Sequence, residues 1–251
     1  MENLHKKIIN VFDEMEKRFG ESSGSNDSIR LLIYQLYNRA KRTYLASWAI
    51  LKHSGISASY IEILPNLRVL LENLFHIKFI INSKDKNKVT EEYDLARRNF
   101  EYQLYKNYKE YKTRFDNGDE KNSLHEDELK FLSDNDRLEK PERKVIFTDI
   151  KSFSQLPEVN EFGYYVRIYK ILNSTIHFDP STVEMYGSMV DGKFIFNVFD
   201  DENTKESEKV ILRYLSGLTL NTTSYISDYF KYTDVDEIIK NALSEWVKTF
   251  N

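Results

Sequence analysis

The 251-residue chain contains no cysteine. That excludes disulfides, thiolate metal sites and a cysteine nucleophile, and it fits a reducing compartment. Only 8 glycines and 4 prolines interrupt it. So few breakers, combined with long charged periodic stretches, predict helices. No window approaches 18 uncharged apolar residues, so no membrane span is expected. The amphipathic start, MENLHKKIINVFDEMEKRF, has neither the apolar run nor the small-residue cleavage site of a signal peptide, and a cytoplasmic location is expected. The formal net charge of -4 rules out a polycation, so nucleic-acid binding would need a local basic patch. What the chain has in quantity is aromatic: 17 tyrosines and 16 phenylalanines, enough for rings to dominate the core.

Periodicity divides the chain into helices at about 2–19, 28–53, 59–82, 88–115, 157–178, 204–231 and 234–249. Ser59 with Glu62, and Asp234 with Glu237, have capping-box spacing. Asp191-Gly192 between two β-rich runs predicts a small hairpin near 182–199. Residues 116–147 are the most charged and predict a solvated connection with one short helix. The fold class is therefore mainly α: a multi-helix bundle with a small β-hairpin, read as one domain with a polar helical arm at about 84–147. Phe100, Leu104, Tyr108, Tyr111 and Phe115 are expected in the core, as are Val235, Ile238, Ile239, Ala242, Leu243, Trp246 and Val247.

LPNLRVLLENLFHIKFII, residues 64–81, carries Arg68, Glu72 and His76 on a helix that is otherwise apolar around most of its circumference. At 100° per residue the three lie within about 80° of one another. An unpaired buried charge costs several kcal/mol, so Arg68 and Glu72 must pair with each other or with a facing helix. Such a pair either fixes helix register or builds a polar pocket. In YKILNSTIHFDP, His177 closes an apolar helix with Asn173 one turn before it. A histidine there is either a cap in favourable register with the helix dipole or a proton carrier. A second candidate surface is the face of RRNFEYQLYKNYKEYKTRF that gathers Arg98, Tyr102, Tyr105, Lys109 and Lys112, since interleaved cations and rings hold phosphates and stack bases. Otherwise it is an ordinary solvated face. No metal motif, P-loop or dinucleotide fingerprint is present, and no cofactor is expected.

The pairing of Leu67, Arg68, Leu71 and Glu72 with Tyr169, Leu172, Asn173, Ile176 and His177 resembles an uncharacterised bacterial family of helical proteins of unknown function, associated with mobile elements and phage defence. More distantly the chain resembles the HEPN group of helical bundles, many of which are dimeric, metal-independent RNases with an Arg-x4-6-His motif. Leu172 stands five residues before His177, so the arginine would come from Arg68. The resemblance implies an endoribonuclease, toxin or defence effector: His177 as acid and base, Arg68 on the phosphorane, Glu72 orienting Arg68, Asn173 positioning phosphate or imidazole. RNA or a nucleotide, a second copy of the chain, or a partner protein of a defence system are the partners it implies. The alternative is a non-catalytic bundle that binds a nucleotide or a protein, with Arg68, Glu72 and His177 as a buried structural network. A ligand-sensing regulator is the third.

Overall fold

The computed structural model describes residues 1–21, 27–53, 59–169, 172, 187–190, 193–196 and 201–250, of which 187–190, 194–196 and 201–204 are described in backbone only. The described chain is mainly helical. It divides into two compact units, Met1–Ser83 with Ser154–Asn251, and Lys84–Phe153.

In the first unit, α1 (Glu2–Glu21), α2 (Ser28–His53), α3 (Leu64–Asn82), α8 (Asp201–Phe230) and α9 (Thr233–Phe250) form the bundle. Helix α1 turns Leu4, Ile8, Val11, Phe12, Met15 and Phe19 inward, a single apolar stripe at helical spacing. Asp27 starts α2, its Oδ1 accepting the Ile29 N–H at 3.0 Å. Two fully buried tyrosines of α2 keep their hydroxyls satisfied. Tyr37 donates to the Phe12 carbonyl at 3.0 Å, and the Tyr44 hydroxyl lies 3.1 Å from His5 Nδ1.

Helix α8 packs against α1, α2, α3 and α9. It buries Ser216, Thr219, Thr222 and Thr223, whose hydroxyls would be costly in a core without partners. Each donates back to the carbonyl four residues earlier, at 2.5 to 3.1 Å. At these four positions the helix satisfies its own polar groups, while buried Ser227 donates to the Tyr232 carbonyl just beyond its end at 3.1 Å. Small side chains at these positions leave room for the bulky faces of α3 and α2. Leu67, Leu70, Leu71, Leu74, Phe75, Ile77, Phe79 and Ile80 of α3 are all buried.

The second unit holds α4 (Lys86–Asp116), α5 (Glu126–Asp134) and the first residues of α6 (Ile150–Gln155). Asp85 caps α4 by accepting from the Asn87 and Lys88 N–H groups. Gly118 ends it at a φ of 83°, the left-handed conformation that glycine adopts without strain. Glu92 is buried but not stranded: Arg143 Nη2 lies 2.5 Å from one oxygen, and the Ile146 N–H donates to the other at 3.3 Å. Phe147 of the same unit meets the Tyr93 ring at a tilt and the Phe153 ring edge to face, at 5.2 and 5.7 Å between centroids. Residues Gly187–Val190 (β1) and Lys193–Phe196 (β2) lie antiparallel, Gly187 opposite Phe196. The rest of the expected 182–199 hairpin lies outside the described residues.

The structure corrects several expectations. Helix α3 begins at Leu64 after a 3-10 turn over Ile61–Ile63, with Pro65 in its first turn, rather than at a Ser59 capping box. The helix expected from Pro157 starts at Phe162; we label Phe162–Tyr169 α7. None of the five α4 residues expected in the core is buried: Phe100 is 68% exposed, Phe115 is exposed, and Leu104, Tyr108 and Tyr111 are half-buried, Tyr108 against the Phe131 ring of α5. In α9 the buried residues are Val235, Ile239, Ala242 and Phe250, while Val247 is exposed and Trp246 half-buried. Trp246 sits at the edge of the stripe, where its indole N–H donates to the Arg213 carbonyl at 3.1 Å.

This places the core energetics on α3 rather than on Trp246. Phe75, fully buried, should cost about 3–5 kcal/mol when cut to alanine. Trp246→Ala should cost clearly less, since the ring is only half-buried. Urea denaturation of both variants tests this ordering, and equal losses would place Trp246 back in the core.

Candidate functional site

The apolar character of α3 is what makes its polar residues informative. Arg68, Glu72 and His76 recur at four-residue steps and so share one face. Arg68 Nε donates to Glu72 Oε1 at 2.9 Å. The same oxygen accepts the Tyr169 hydroxyl at 2.9 Å, from a residue 97 positions away in sequence. The Arg68 guanidinium carbon lies 5.0 Å from the centroid of the Tyr169 ring, a cation–π contact. One carboxylate thus holds a cation of its own helix and a phenol of α7.

Tyr169 arrives there through an irregular segment. Only Phe162–Tyr164 of α7 is α-helical; Tyr165–Tyr169 is π-helical. Such i→i+5 turns concentrate at functional sites because they re-aim side chains out of the α register. Here the ring of Tyr165 stacks on Tyr169 at 5.5 Å between centroids and on Phe162 at 5.9 Å. The three rings form a column with the Arg68–Glu72 pair at its end.

The electrostatics follow from burial and charge. Burial alone would lower the Arg68 pKa, but the hydrogen bond and charge of Glu72 outweigh it and raise it, so Arg68 stays cationic. Burial, then the Glu72 charge, pushes the Tyr169 phenol up to about 12, so it remains a donor at neutral pH. The side chains of Arg68 and Glu72 keep 23% and 19% of their exposure. The pair is therefore reachable from solvent, and the full penalty expected for a sealed charge does not apply. His76 is pushed down to about 4 by burial and by the nearby Arg39 cation.

A second ion pair on α3 had no counterpart in the sequence reading. Lys78 is 10% exposed in its side chain and lies 2.5 Å from Glu161 Oε1, with its ammonium 5.1 Å from the Tyr225 ring centroid. Burial would lower its pKa, but the Glu161 hydrogen bond and charge raise it instead. A lone lysine in HIKFII signals little, because its acidic partner comes from a loop 83 residues on.

Asn173 and His177 lie outside the described residues. In the second unit, Arg98, Lys109 and Lys112 of α4 are exposed, with Tyr102 and Tyr105 half-buried among them. Arg98 pairs with Asp94 at 3.3 Å and Lys112 with Asp116 at 2.6 Å, while Lys109 stands 5.5 Å from the Tyr105 ring centroid. Carboxylates one turn away neutralise two of the three cations in part. Among the described residues, no group of three or more His, Asp and Glu side chains could hold a metal ion. No described helix is long and apolar enough to cross a membrane.

The depressed His76 pKa gives a signed expectation. The unfolded chain takes up this proton near pH 6.5, the folded one only near pH 4. Stability is therefore full above pH 6.5 and declines as the pH falls toward 4, with a limiting slope of about 1.4 kcal/mol per pH unit from this one group. Denaturation of wild type and His76→Gln between pH 7 and 5 measures it. The wild type should lose more stability than the variant; parallel pH profiles would contradict the burial of a neutral imidazole.

A family model described as "Family of unknown function (DUF5677)" matches residues 30–194, more than half of the chain. No curated protein matches the chain. No solved structure matches it either.

Proposed function

The chain belongs to this family of unknown function, DUF5677, and we propose that it is an HEPN-like, metal-independent endoribonuclease acting in a defence or toxin role. The observation that carries the reading is Arg68: a partly exposed guanidinium kept on an apolar helix, oriented by Glu72 and backed by the Tyr169 ring. A cation pre-oriented in this way stabilises charge that develops on a phosphate without reorganising during the reaction. Register fixation alone could be met by an apolar contact at lower desolvation cost.

In the proposed reaction His177 removes the proton of a ribose 2′-hydroxyl. The 2′-oxygen attacks the adjacent phosphorus while Arg68 balances the extra negative charge of the phosphorane. The 5′-oxygen leaves and takes that proton from His177, giving a 2′,3′-cyclic phosphate and a 5′-hydroxyl. Glu72 keeps Arg68 in place, and Asn173 positions the phosphate or the imidazole. On the second unit, the exposed cations and half-buried rings of α4 (Arg98, Tyr102, Tyr105, Lys109, Lys112) would by themselves bind RNA, with a strong salt dependence. The protein would work in the cytoplasm as a homodimer or with a partner protein of a defence system.

A second reading has its own observation. Glu72 Oε1 joins two elements, since it accepts from α3 and from α7. A non-catalytic bundle that binds a nucleotide or a protein needs nothing more from the cluster than this cross-link.

RNA cleavage by the purified protein in EDTA separates the two. The enzyme reading expects 2′,3′-cyclic phosphate ends, no cleavage by His177→Ala, and a loss on the order of 10²-fold for Arg68→Lys, which keeps the charge but not the planar fork. An inert wild type, or a His177→Ala variant that cuts as wild type does, would leave the structural network as the better account.

A further inference from the structure

Away from Arg68, the first unit carries a groove of about 390 Å³ that the proposed reaction does not use. Its walls come from three elements: Tyr164 of α7, Arg213, Tyr214 and Asn221 of α8, and Leu243 and Trp246 of α9. The volume lies within the range of small-molecule sites. Its lining combines three aromatic rings with one guanidinium and one carboxamide.

The groove sets its cation and its largest ring side by side. The Trp246 N–H is taken up by the Arg213 carbonyl at 3.1 Å, which pins the indole edge to α8, and the Phe250 ring lies tilted 5.7 Å from the indole. The Arg213 guanidinium carbon stands 5.5 Å from the indole centroid. Among the described residues Arg213 makes no ion pair, unlike Arg68, Lys78 and Arg18, which each meet a carboxylate. Gly217, on the groove floor, lies directly beneath the indole: an added Cβ would stand 3.5 Å from it, an ordinary contact. Tyr164 keeps its proton, because burial, then the Glu161 charge and Tyr214, raises its pKa. Tyr214, 37% exposed, offers a second ring on the same helix as the cation.

We propose that this groove binds a small planar aromatic anion, its ring against Trp246 and Tyr214 and its carboxylate or phosphate on Arg213. A guanidinium fork matches either oxyanion in bidentate geometry. Rings supply contact area at low entropic cost, and Asn221 supplies a donor and an acceptor for the ring's edge. An aromatic carboxylate and a nucleoside monophosphate share this chemistry. The site is independent of Arg68 and stands whether or not the chain cleaves RNA.

Calorimetric titration of the full chain tests it with three kinds of probe: ring-bearing anions (indole-3-carboxylate and AMP), their neutral counterparts (indole and adenosine), and ringless anions (acetate and inorganic phosphate). At least one ring-bearing anion should bind with a Kd under ~1 mM, at least about tenfold tighter than its neutral counterpart, with no heat from the ringless anions. Which of the two binds tells carboxylate from phosphate. Arg213→Gln, at an exposed position, should erase the advantage of the anion, and Tyr214→Ala should weaken the anion and its neutral counterpart alike. Failure of both ring-bearing anions, or an Arg213→Gln protein that binds them unchanged, would overturn the proposal.

Discussion

Glu72 Oε1 accepts from Arg68 on its own helix and from Tyr169 on α7, and the polar interior of the first unit is arranged around that shared acceptor. The hydrogen bond and charge hold Arg68 cationic against the cost of burial. The same carboxylate, after burial itself, keeps the Tyr169 phenol protonated. The π-helical turn over Tyr165–Tyr169 is what delivers the phenol, and the stacked rings of Phe162, Tyr165 and Tyr169 give that turn its packing. Local irregularity, ring stacking and charge pairing therefore depend on one another. A buried or half-buried charge is tolerable here because its partners come from two elements rather than from one flexible neighbour.

The bundle makes room for this cluster by handling its other polar groups locally. Helix α8 returns the hydroxyls of Ser216, Thr219, Thr222 and Thr223 to its own backbone, so its core face acts as small and apolar toward α3. Two larger polar groups that enter have counter-groups: Lys78 has Glu161, and Glu92 in the second unit has Arg143 and the Ile146 N–H. The groove at Trp246 sets a guanidinium over a ring with no carboxylate beside it among the described residues, as Arg30 stands over Phe19 and Phe230. What sets the groove apart is its open volume between three elements, and that is why it is read as a place for a ligand's charge.

Much of this was legible in the sequence where the signal is periodic and local. The helix spans at 28–53 and 234–249 follow apolar spacing closely, and the structure gives Ser28–His53 and Thr233–Phe250. The Arg68–Glu72 contact follows from i,i+4 geometry on an apolar helix. Tyr169 was visible only as a motif position, because nothing in YVRIY announces a π-turn that aims its hydroxyl at Glu72. Lys78–Glu161 and the Trp246 groove were illegible for a related reason: their members are scattered through the chain, and only the packing of α7, α8 and α9 unites them. Periodicity erred at Phe100 and Val247, since an apolar residue at helical spacing is buried only where a second element reaches it.

A double-mutant cycle on Glu72 and Tyr169 tests the shared acceptor most directly. Glu72→Gln, Tyr169→Phe and the double variant would be denatured in urea beside the wild type, with circular dichroism to confirm that each is folded. If one carboxylate oxygen joins the two elements, the losses are not additive, and a coupling of about 1 kcal/mol or more is expected. Losses that add within about 0.3 kcal/mol would show that the two side chains act separately. Glu72 would then be an ordinary partner of Arg68, and the cluster could not be what orients the guanidinium.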